Sequence, residues 1–343
     1  MNLTIFKLVS SSFSYSPFIT NHISNQFQTQ LISNSYFHNY ITNFFYGHYS
    51  SIQTNFFKSN LFSNFLHSPI HISNSLYDGI ALFMDYFNKK NIIIKNIKNK
   101  WHVDSYFNTL FITCCSFSSC KSHDGGAINS YGCNVTIYYC QFIKNRAKNS
   151  GAVSISDSPN GTILNSLFYM NSAKRFGSMH LDGHDNSNDA NIHGCNFSHN
   201  SANLWIGCLR IQHNHGTISK SIFFSSKSEE YGTIFDYSHY PGTRVWSHDI
   251  IMNNSAKIAA GLTIYHLNHN GSLEYCIFQK NVNTDEKRGT SIYIHSDNDH
   301  LTLKNCYFDG SRQTELFVFF TDTSSIHVDD SCSFEKIINT NIN

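Results

Sequence analysis

Aspartate and histidine side chains recur at intervals from residue 157 onward in this 343-residue sequence. They lie five to eight residues after a series of regularly spaced glycines: Asp157, Asp182, His184, Asp185, His213, His215, His239, His266 and His295. Carboxylates and imidazoles that lie close together can act as general acids and bases, and both are ligands for metals such as zinc. The set is therefore a candidate ligand or metal site, provided that the fold brings its members together.

The same residues also have a purely structural interpretation, because polar side chains collect in the turns of any repeating fold. Asp182 and Asp185 with His184 and His213 form the combination best suited to acid–base work or metal binding. The sequence has no Cys-x-x-Cys, and its Cys-x-x-His at Cys120 and His123 has no second pair, so no zinc knot is indicated. We assign no catalytic residue and no cofactor from the sequence, and we expect this edge to be mainly a polar loop surface.

A phrase of about 27 residues repeats over two thirds of the chain. Each copy has an apolar anchor, usually followed three residues later by Asn, as in FIKN, FYMN and FSHN. Nine anchors lie 25 to 30 residues apart: Phe117, Phe142, Phe168, Phe197, Phe223, Ile251, Phe278, Phe308 and Phe334. Periods of this length indicate a solenoid.

Three short strands fit each repeat. A Gly follows most anchors by nine to eleven residues and opens an alternating I-x-I segment, which is followed by a V-x-I segment and a C-x-F segment. The apolar positions of the last two segments are an odd number of residues apart, so a corner must separate them. The recurring Gly indicates either a positive φ or a tight approach to the neighbouring coil.

This pattern, without any helical period, predicts an all-β fold: a single-stranded right-handed parallel β-helix of the pectin-lyase-like kind, with about nine regular coils. Regular coils are predicted for residues 105–338 and a tail for 339–343. Equivalent positions of successive coils should stack. The anchors then form an aromatic ladder, and an amide ladder is predicted from Asn145, Asn171, Asn200 and Asn281.

Residues 1–104 follow the repeat less closely and are predicted to form degenerate coils and an N-terminal cap, because a solenoid must cover its exposed end. The FKSN phrase at Phe57 fits the anchor pattern. NIIIKNIKNKW, which begins at Asn91, is predicted as a strand that enters the regular array.

The GGAI phrase at residues 125–128, together with the F-x-x-N phrases, resembles the repeats of polymorphic outer-membrane proteins and related right-handed β-helix proteins of microbial surfaces. The resemblance covers roughly residues 105–338, although the full Gly-Gly occurs only once. It implies the fold and an adhesive or surface role, with glycans or proteins of a host or neighbouring cell as partners. It also favours an extracellular or cell-surface location, and it supplies no catalytic residue.

The charge balance argues against nucleic acid as a partner. Lys and Arg number 24 and Asp and Glu 23, whereas proteins that neutralise phosphates carry a basic excess. No stretch approaches 18 consecutive apolar residues, so we expect no transmembrane segment. The first 20 residues do not form a clear signal peptide.

Ten cysteines and several Asn-x-Ser/Thr sequons are compatible with a secreted glycoprotein. Stacked cysteines on parallel strands have unfavourable Cβ directions for disulfides, so we expect free buried thiols. The candidate glycosylation sites are Asn134, Asn160, Asn196, Asn253 and Asn270.

Two functions remain open from the sequence. The first is a non-enzymatic surface or secreted scaffold for adhesion or for binding glycans or proteins. The second is a degenerate polysaccharide lyase or glycoside hydrolase. LDGHDN at Leu181 resembles the Gly-His segment of polygalacturonases, and Arg210 is a lone further match, but their other phrases are missing in the expected order. We therefore expect the scaffold.

Overall fold

A computed structural model describes residues 2–6, 11–12, 19–21, 28–33, 36–38, 45–48, 53–58, 61–63, 65, 69–73, 108–183, 189–212, 215–238, 242–267, 269–284, 290–297, 300–320 and 325–335. Over these residues the chain is a parallel β-solenoid, because each strand pairs in parallel with the equivalent strand of the next coil. The all-β parallel solenoid is confirmed, and its right-handedness remains a prediction.

Three long sheets, which we call A, B and C in the order in which a coil passes through them, form the faces of the solenoid. The strands of sheet A are Asn2–Phe6, Gln28–Ser33, Gln53–Lys58, Asn108–Thr113, Cys133–Tyr138, Asn160–Leu164, Asp189–His193, His215–Ser219, Gly242–Ser247, His269–Glu274, His300–Lys304 and Ser325–Val328. The strands of sheet B are Ser11–Ser12, Tyr36–His38, Leu61–Ser63, Ser116–Ser118, Gln141–Ile143, Leu167–Tyr169, Asn196–Ser198, Ile222–Phe224, Ile250–Met252, Ile277–Gln279, Tyr307–Phe308 and Ser333–Phe334. The strands of sheet C are Ile19–Asn21, Phe45–His48, Ile70–Ser73, Ile128–Tyr131, Val153–Ser158, Met179–Gly183, Leu209–Gln212, Ile234–Ser238, Leu262–Leu267, Ile292–Asp297 and Leu316–Phe320.

Two small sheets lie between sheets B and C. The first, which we call sheet D, has four strands, Lys121–Ser122, Arg146–Ala147, Ser172–Ala173 and Ser201–Ala202, and the second pairs Ser255–Ala256 with Val282–Asn283. A short helix at Arg312–Glu315 begins after Ser311, whose side-chain oxygen accepts a hydrogen bond from the Thr314 N–H.

The nine predicted anchors occupy nine consecutive strands of sheet B. Phe117, Phe142 and Phe168 are buried, and their rings stack nearly parallel with centroids 4.7–5.0 Å apart. The stack continues on both sides and is interrupted only at Ile251 among the described anchors. The coil before Phe117 contributes Phe62 to this stack, whereas Phe57 lies in sheet A, so the assignment of Phe57 as an anchor was wrong.

Three strands of each sheet come from residues 2–73 and pair in parallel with one another and with the later coils. The predicted cap in the rest of residues 1–104, the strand predicted at Asn91 and the tail at 339–343 lie outside the described residues. The boundary at residue 105 remains a prediction.

Residues with positive φ form the corners of each coil. One column lies between sheets A and B and includes Tyr139, Lys220 and His248, and a second lies directly after sheet B and includes Lys144 and Met170. The left-handed conformation costs an L-residue about 1–2 kcal/mol. It also explains the odd offset in the sequence, because this one extra residue turns the chain between two strands.

At the corner after sheet B, an amide ladder of Asn side chains joins successive coils. Asn171 Oδ1 accepts hydrogen bonds from the backbone N–H and the Nδ2 of Asn145, both at 3.0 Å, and its own Nδ2 donates to the carbonyl oxygen of Phe142 at 2.9 Å. Asn200 and Asn281 repeat the arrangement, and Asn254 also belongs to it. Ser226 replaces Asn in one coil and keeps only the acceptor for the Asn200 N–H.

The corner between sheets A and B uses Cys, Ser and Asp in the same way. Cys140 N–H donates to Ser166 Oγ at 3.1 Å, Cys195 N–H to Ser221 Oγ at 3.2 Å, and Cys115 N–H to Cys140 Sγ at 3.5 Å. Ser and Cys accept through Oγ and Sγ, and Asp249 accepts through Oδ1 from the Ser221 N–H at 2.8 Å. None of the ten cysteines is in a disulfide, and burial raises the pKa of Cys195 to about 12, so this thiol stays neutral.

The recurring glycines mark close approach between coils rather than positive φ. A Cβ atom on Gly151 would lie 2.1 Å from the carbonyl oxygen of Gly177, and one on Gly177 would lie 1.9 Å from that of Gly207. Of the two explanations offered by the sequence, the tight approach is the correct one at these positions.

One coil places polar side chains inside the core. Asp236 and Arg244 are fully buried and form an ion pair at 3.3 Å, and Trp246 Nε1 donates to Asp236 Oδ2 at 3.0 Å. Gly216 and Gly271 are the register neighbours of Arg244 on the two adjacent strands. A buried ion pair needs such partners because its desolvation is costly.

Replacing Asn171 by Ala should lower the free energy of unfolding by about 3 kcal/mol, because the Asn145 N–H and the Phe142 carbonyl lose their buried partners. Asn171→Ser should cost about 1 kcal/mol, since Ser226 shows that a hydroxyl can accept the N–H. Denaturant unfolding measures both, with the exposed Asn270→Ala as a control. Equal losses for Ala and Ser would contradict the ladder as a hydrogen-bonding device.

Asp249 makes stability depend on pH. It is buried, its Oδ1 accepts from the Ser221 N–H at 2.8 Å, and burial raises its pKa from 3.8 to about 7. Because the folded pKa lies above the unfolded one, the stability contributed by its neutral form is complete below pH 4 and is lost as the pH rises through 7.

Asp249→Ser keeps an acceptor and removes the buried charge. We expect the variant to be more stable than the wild type by about 1–3 kcal/mol at pH 8, with the difference shrinking toward pH 4. Urea unfolding between pH 4 and pH 8 measures this. A constant difference across that range would show that Asp249 does not titrate in the folded protein.

Candidate functional site

The structure places the described residues of the predicted Asp/His edge on two different sheets. Asp157, Asp182 and His295 lie on strands of sheet C, and His266 is also placed on a sheet C strand. His215 instead begins a strand of sheet A, where its Nδ1 lies 3.1 Å from Thr243 Oγ1. His184, Asp185, His213 and His239 lie outside the described residues. Within the described part of the chain, no group of three or more His, Cys, Asp or Glu side chains is arranged to hold a metal ion.

The outward face of sheet C has its polar centre at Arg210. In the Leu209–Gln212 strand the apolar side chains point into the core, and Arg210 and Gln212 are only half-buried. The Arg210 guanidinium donates to His180 Nε2 on one neighbouring coil and to Gln212 Oε1 on its own strand. Because Arg has only donors, His180 Nε2 must be the acceptor in this contact.

Two aromatic rings fix the same guanidinium. The Arg210 Cζ lies 5.3 Å from the centre of the Phe176 ring and 5.8 Å from that of Tyr237. Cation–π contacts of this kind stabilise the charge and hold its plane. Burial lowers the pKa of Arg210, and nearby Asp182 opposes that change. Arg210 is therefore a preorganised planar donor rather than a freely moving surface cation.

Asp182 lies beside this cluster, in register with Gln212. Burial raises its pKa to about 6, the positive charge of Arg210 lowers it, and the negative charge of Asp157 raises it further. Asp182 and Asp157 are thus close enough to interact, whereas Asp185, His184 and His213, the partners that the sequence suggested for Asp182, lie outside the described residues. A carboxyl group that titrates near neutral pH can act both as a hydrogen-bond donor and as an acceptor.

Aromatic side chains extend the surface from Arg210 in both directions. On one side, the ring centroid of Phe176 lies 6.1 Å from that of Trp205, which is exposed and belongs to the same coil as Arg210. Toward higher numbers, Tyr237 lies 5.6 Å from Tyr265, which stacks on His295 at 4.3 Å with ring planes 5° apart. We call the surface formed by His180, Asp182, Arg210, Gln212 and the rings of Phe176, Trp205, Tyr237, Tyr265 and His295 the sheet C face.

Sequence reasoning found only part of the sheet C face. It singled out Asp182, His295 and, as a lone match, Arg210, but it did not find His180, Tyr237 or Tyr265. A signal was present, because the residues that alternate with the buried positions of each I-x-I segment must point outward. His180, Tyr237 and Tyr265 lie within these strands, and His180 and Tyr265 come before the offset of five to eight residues after the glycines.

Most of the candidate glycosylation sites are accessible. The side chains of Asn160, Asn196, Asn253 and Asn270 are exposed, and that of Asn134 is half-buried and accepts a hydrogen bond from Asn160 Nδ2 at 3.1 Å. They lie on sheets A and B and at a corner, and none lies on a described strand of sheet C.

The fold defines this chain as a member of the class of parallel β-solenoid proteins. No protein-family model matches the chain, and neither a curated protein nor a solved structure does. The resemblance to polymorphic outer-membrane protein repeats therefore rests on the GGAI and F-x-x-N motifs alone. Among the residues that the structure describes, no helix has the length and apolar character needed to cross a membrane.

The charges around Asp182 predict opposite effects of two substitutions. Arg210→Gln should raise the pKa of Asp182 further, because it removes the favourable positive charge, and Asp157→Asn should lower that pKa, because it removes a negative charge. Carboxyl-carbon NMR titration measures both, and Asp182→Asn assigns the signal. Shifts in the same direction would contradict the arrangement of charges described above.

Proposed function

We propose that the protein is a non-enzymatic binding scaffold of the surface or secreted type, and that its sheet C face binds glycans. The observation that carries this proposal is the fixed guanidinium of Arg210, held between Phe176 and Tyr237 and hydrogen-bonded to His180 and Gln212. On the side of Tyr237, the rings of Tyr265 and His295 continue along sheet C.

Glycan chemistry matches this surface. A sugar ring has an apolar face that packs on aromatic side chains, and its hydroxyl groups both donate and accept hydrogen bonds. Tyr237 and Tyr265 supply ring faces, and Gln212, Asp182 and Arg210 supply polar groups beside them. Successive coils repeat at about 4.8 Å, so a face of several coils favours an extended oligosaccharide over a small compact ligand.

The motifs support a location outside the cell. GGAI and F-x-x-N phrases resemble those of microbial surface proteins, and four exposed sequon asparagines lie away from the sheet C face. Glycans or proteins of a host or neighbouring cell are the partners that this location favours. We also propose that the solenoid is right-handed and of the pectin-lyase-like type, and that the protein acts in adhesion.

A second candidate function is a degenerate polysaccharide lyase or glycoside hydrolase. The observation that favours it is Asp182, whose pKa of about 6 is suited to a general acid, with Asp157 as a second carboxylate nearby. An enzyme of this kind also needs a group that binds the substrate or activates the glycosidic bond to be cleaved. Release of reducing or unsaturated sugars by the wild type, abolished in Asp182→Asn, would establish this function instead.

Tyr237→Ala/Tyr265→Ala should weaken binding of neutral oligosaccharides at least tenfold, because it removes two adjacent ring faces. A glycan array identifies the ligand, and isothermal titration then measures Kd for the wild type and the variant. Tyr139→Ala/Tyr275→Ala is the matched control, since these exposed tyrosines lie at the corner between sheets A and B. Equal weakening by both pairs, or no neutral glycan bound by the wild type, would overturn the proposal.

A further inference from the structure

A groove of about 390 Å³ lies along sheet D, and Arg210 is not among the residues that line it. It is lined by two cations, Arg146 and Lys174, and by Ala147, Ser172, Ala173, Asn203 and Leu204. The volume lies within the range of small-molecule binding sites. Most of the other lining residues have small side chains, and both cations are exposed.

Each of the two cations that line this groove has a like charge as its neighbour on the preceding coil. Lys121 and Arg146 are direct register neighbours in sheet D. Lys148 and Lys174 lie on successive coils, joined by a backbone hydrogen bond of 3.0 Å from the Lys174 N–H to the Lys148 carbonyl. Adjacent strands are about 4.8 Å apart, and like charges directly opposite each other destabilise a sheet.

No ion pair joins any of these four cations to a residue that the structure describes. The nearby Asp124 is hydrogen-bonded to His123 and Asn149 instead. This concentration is notable in a chain whose net charge is only +1. Two like-charge pairs around one groove produce a local positive potential that a bound anion would relieve.

The groove also adjoins the sheet C face. Leu204 and Trp205 are both exposed, and Trp205 contacts Phe176 at 6.1 Å and receives the guanidinium of Arg175 over its ring at 5.2 Å. A ligand on the aromatic row can therefore continue into the groove without leaving the protein surface.

We propose that this groove is a binding site for the anionic groups, sulfate or carboxylate, of an oligosaccharide, with Arg146 and Lys174 as the ligand-binding cations. The inference that the ligand is a saccharide rests on the proposed function. The inference that it is anionic rests on the cations of the groove. Arg146 offers a planar pair of donors suited to either oxyanion, and Lys174 adds a point charge across the groove.

The test compares Arg146→Gln/Lys174→Gln with the charge-matched Lys220→Gln/Lys257→Gln. Lys220 and Lys257 are exposed, and Lys257 follows a Ser-Ala strand as Lys174 does, but on a distant coil. Isothermal titration at 50 mM salt measures Kd for a sulfated oligosaccharide, for a uronate oligosaccharide and for a neutral one. Thermal unfolding without ligand shows that each variant is folded.

The groove variant should bind at least one anionic oligosaccharide ten or more times more weakly than the wild type, whereas the control variant should change Kd less than twofold. Its melting temperature without ligand should equal or exceed that of the wild type, because like-charge repulsion is reduced. The sulfated and uronate arms then identify the anionic group. Neutral glycan binding should be unaffected.

Several results would overturn the groove as a site. One is an equal loss of affinity for the anionic oligosaccharides in the groove and control variants, and another is that the wild type binds neither anionic oligosaccharide. A third is equal affinity of the wild type for single-stranded DNA of the same charge, which would show non-specific polyanion binding. Loss of neutral binding alone, in Tyr237→Ala/Tyr265→Ala, reports on the sheet C face. Failure of the groove is thus distinguishable from failure of the proposed function.

Discussion

Closure of the backbone at the coil corners is the constraint on which the rest of this solenoid depends. Each coil turns through residues with positive φ, and the turn exposes an N–H group that no strand can pair. An acceptor atom from the next coil satisfies it: Asn Oδ1 at one corner, and Ser Oγ, Cys Sγ or Asp Oδ1 at the other. Since buried unpaired N–H groups are costly, these hydrogen bonds offset the strain of the corners and hold successive coils in register.

Register in turn determines the core and the surface together. Once the corners align, anchors such as Phe142 and Phe168 must stack, and every alternate residue of sheet C must point outward. The core accepts local variation when neighbouring coils compensate. Arg244 is buried beside Gly216 and Gly271, and Asp236 and Trp246 supply its partners. The outward positions have no such constraint, so they are free to carry chemistry.

The two proposed binding surfaces use this freedom differently. On the sheet C face, Arg210 is held rigidly by rings and hydrogen bonds, which favours recognition with little loss of side-chain entropy. Around the groove, Arg146 and Lys174 have no described ion-pair partners, which favours attraction of a charged ligand. A rigid polar and aromatic surface next to a positively charged trough suits a ligand that has both neutral rings and charged groups.

The sequence by itself determined the solenoid, its anchors and its amide ladder, because a repeat of 25 to 30 residues places equivalent side chains on top of one another. It also placed Asp182 and Asp157 on neighbouring coils. Only the tertiary structure decided that His180, Arg210 and Tyr237 meet, that His215 leaves the site for sheet A, and that Lys121 lies beside Arg146. The physical reason is that the repeat determines which positions stack, whereas contacts between outward side chains depend on the residue types at those positions, which follow no period in the sequence.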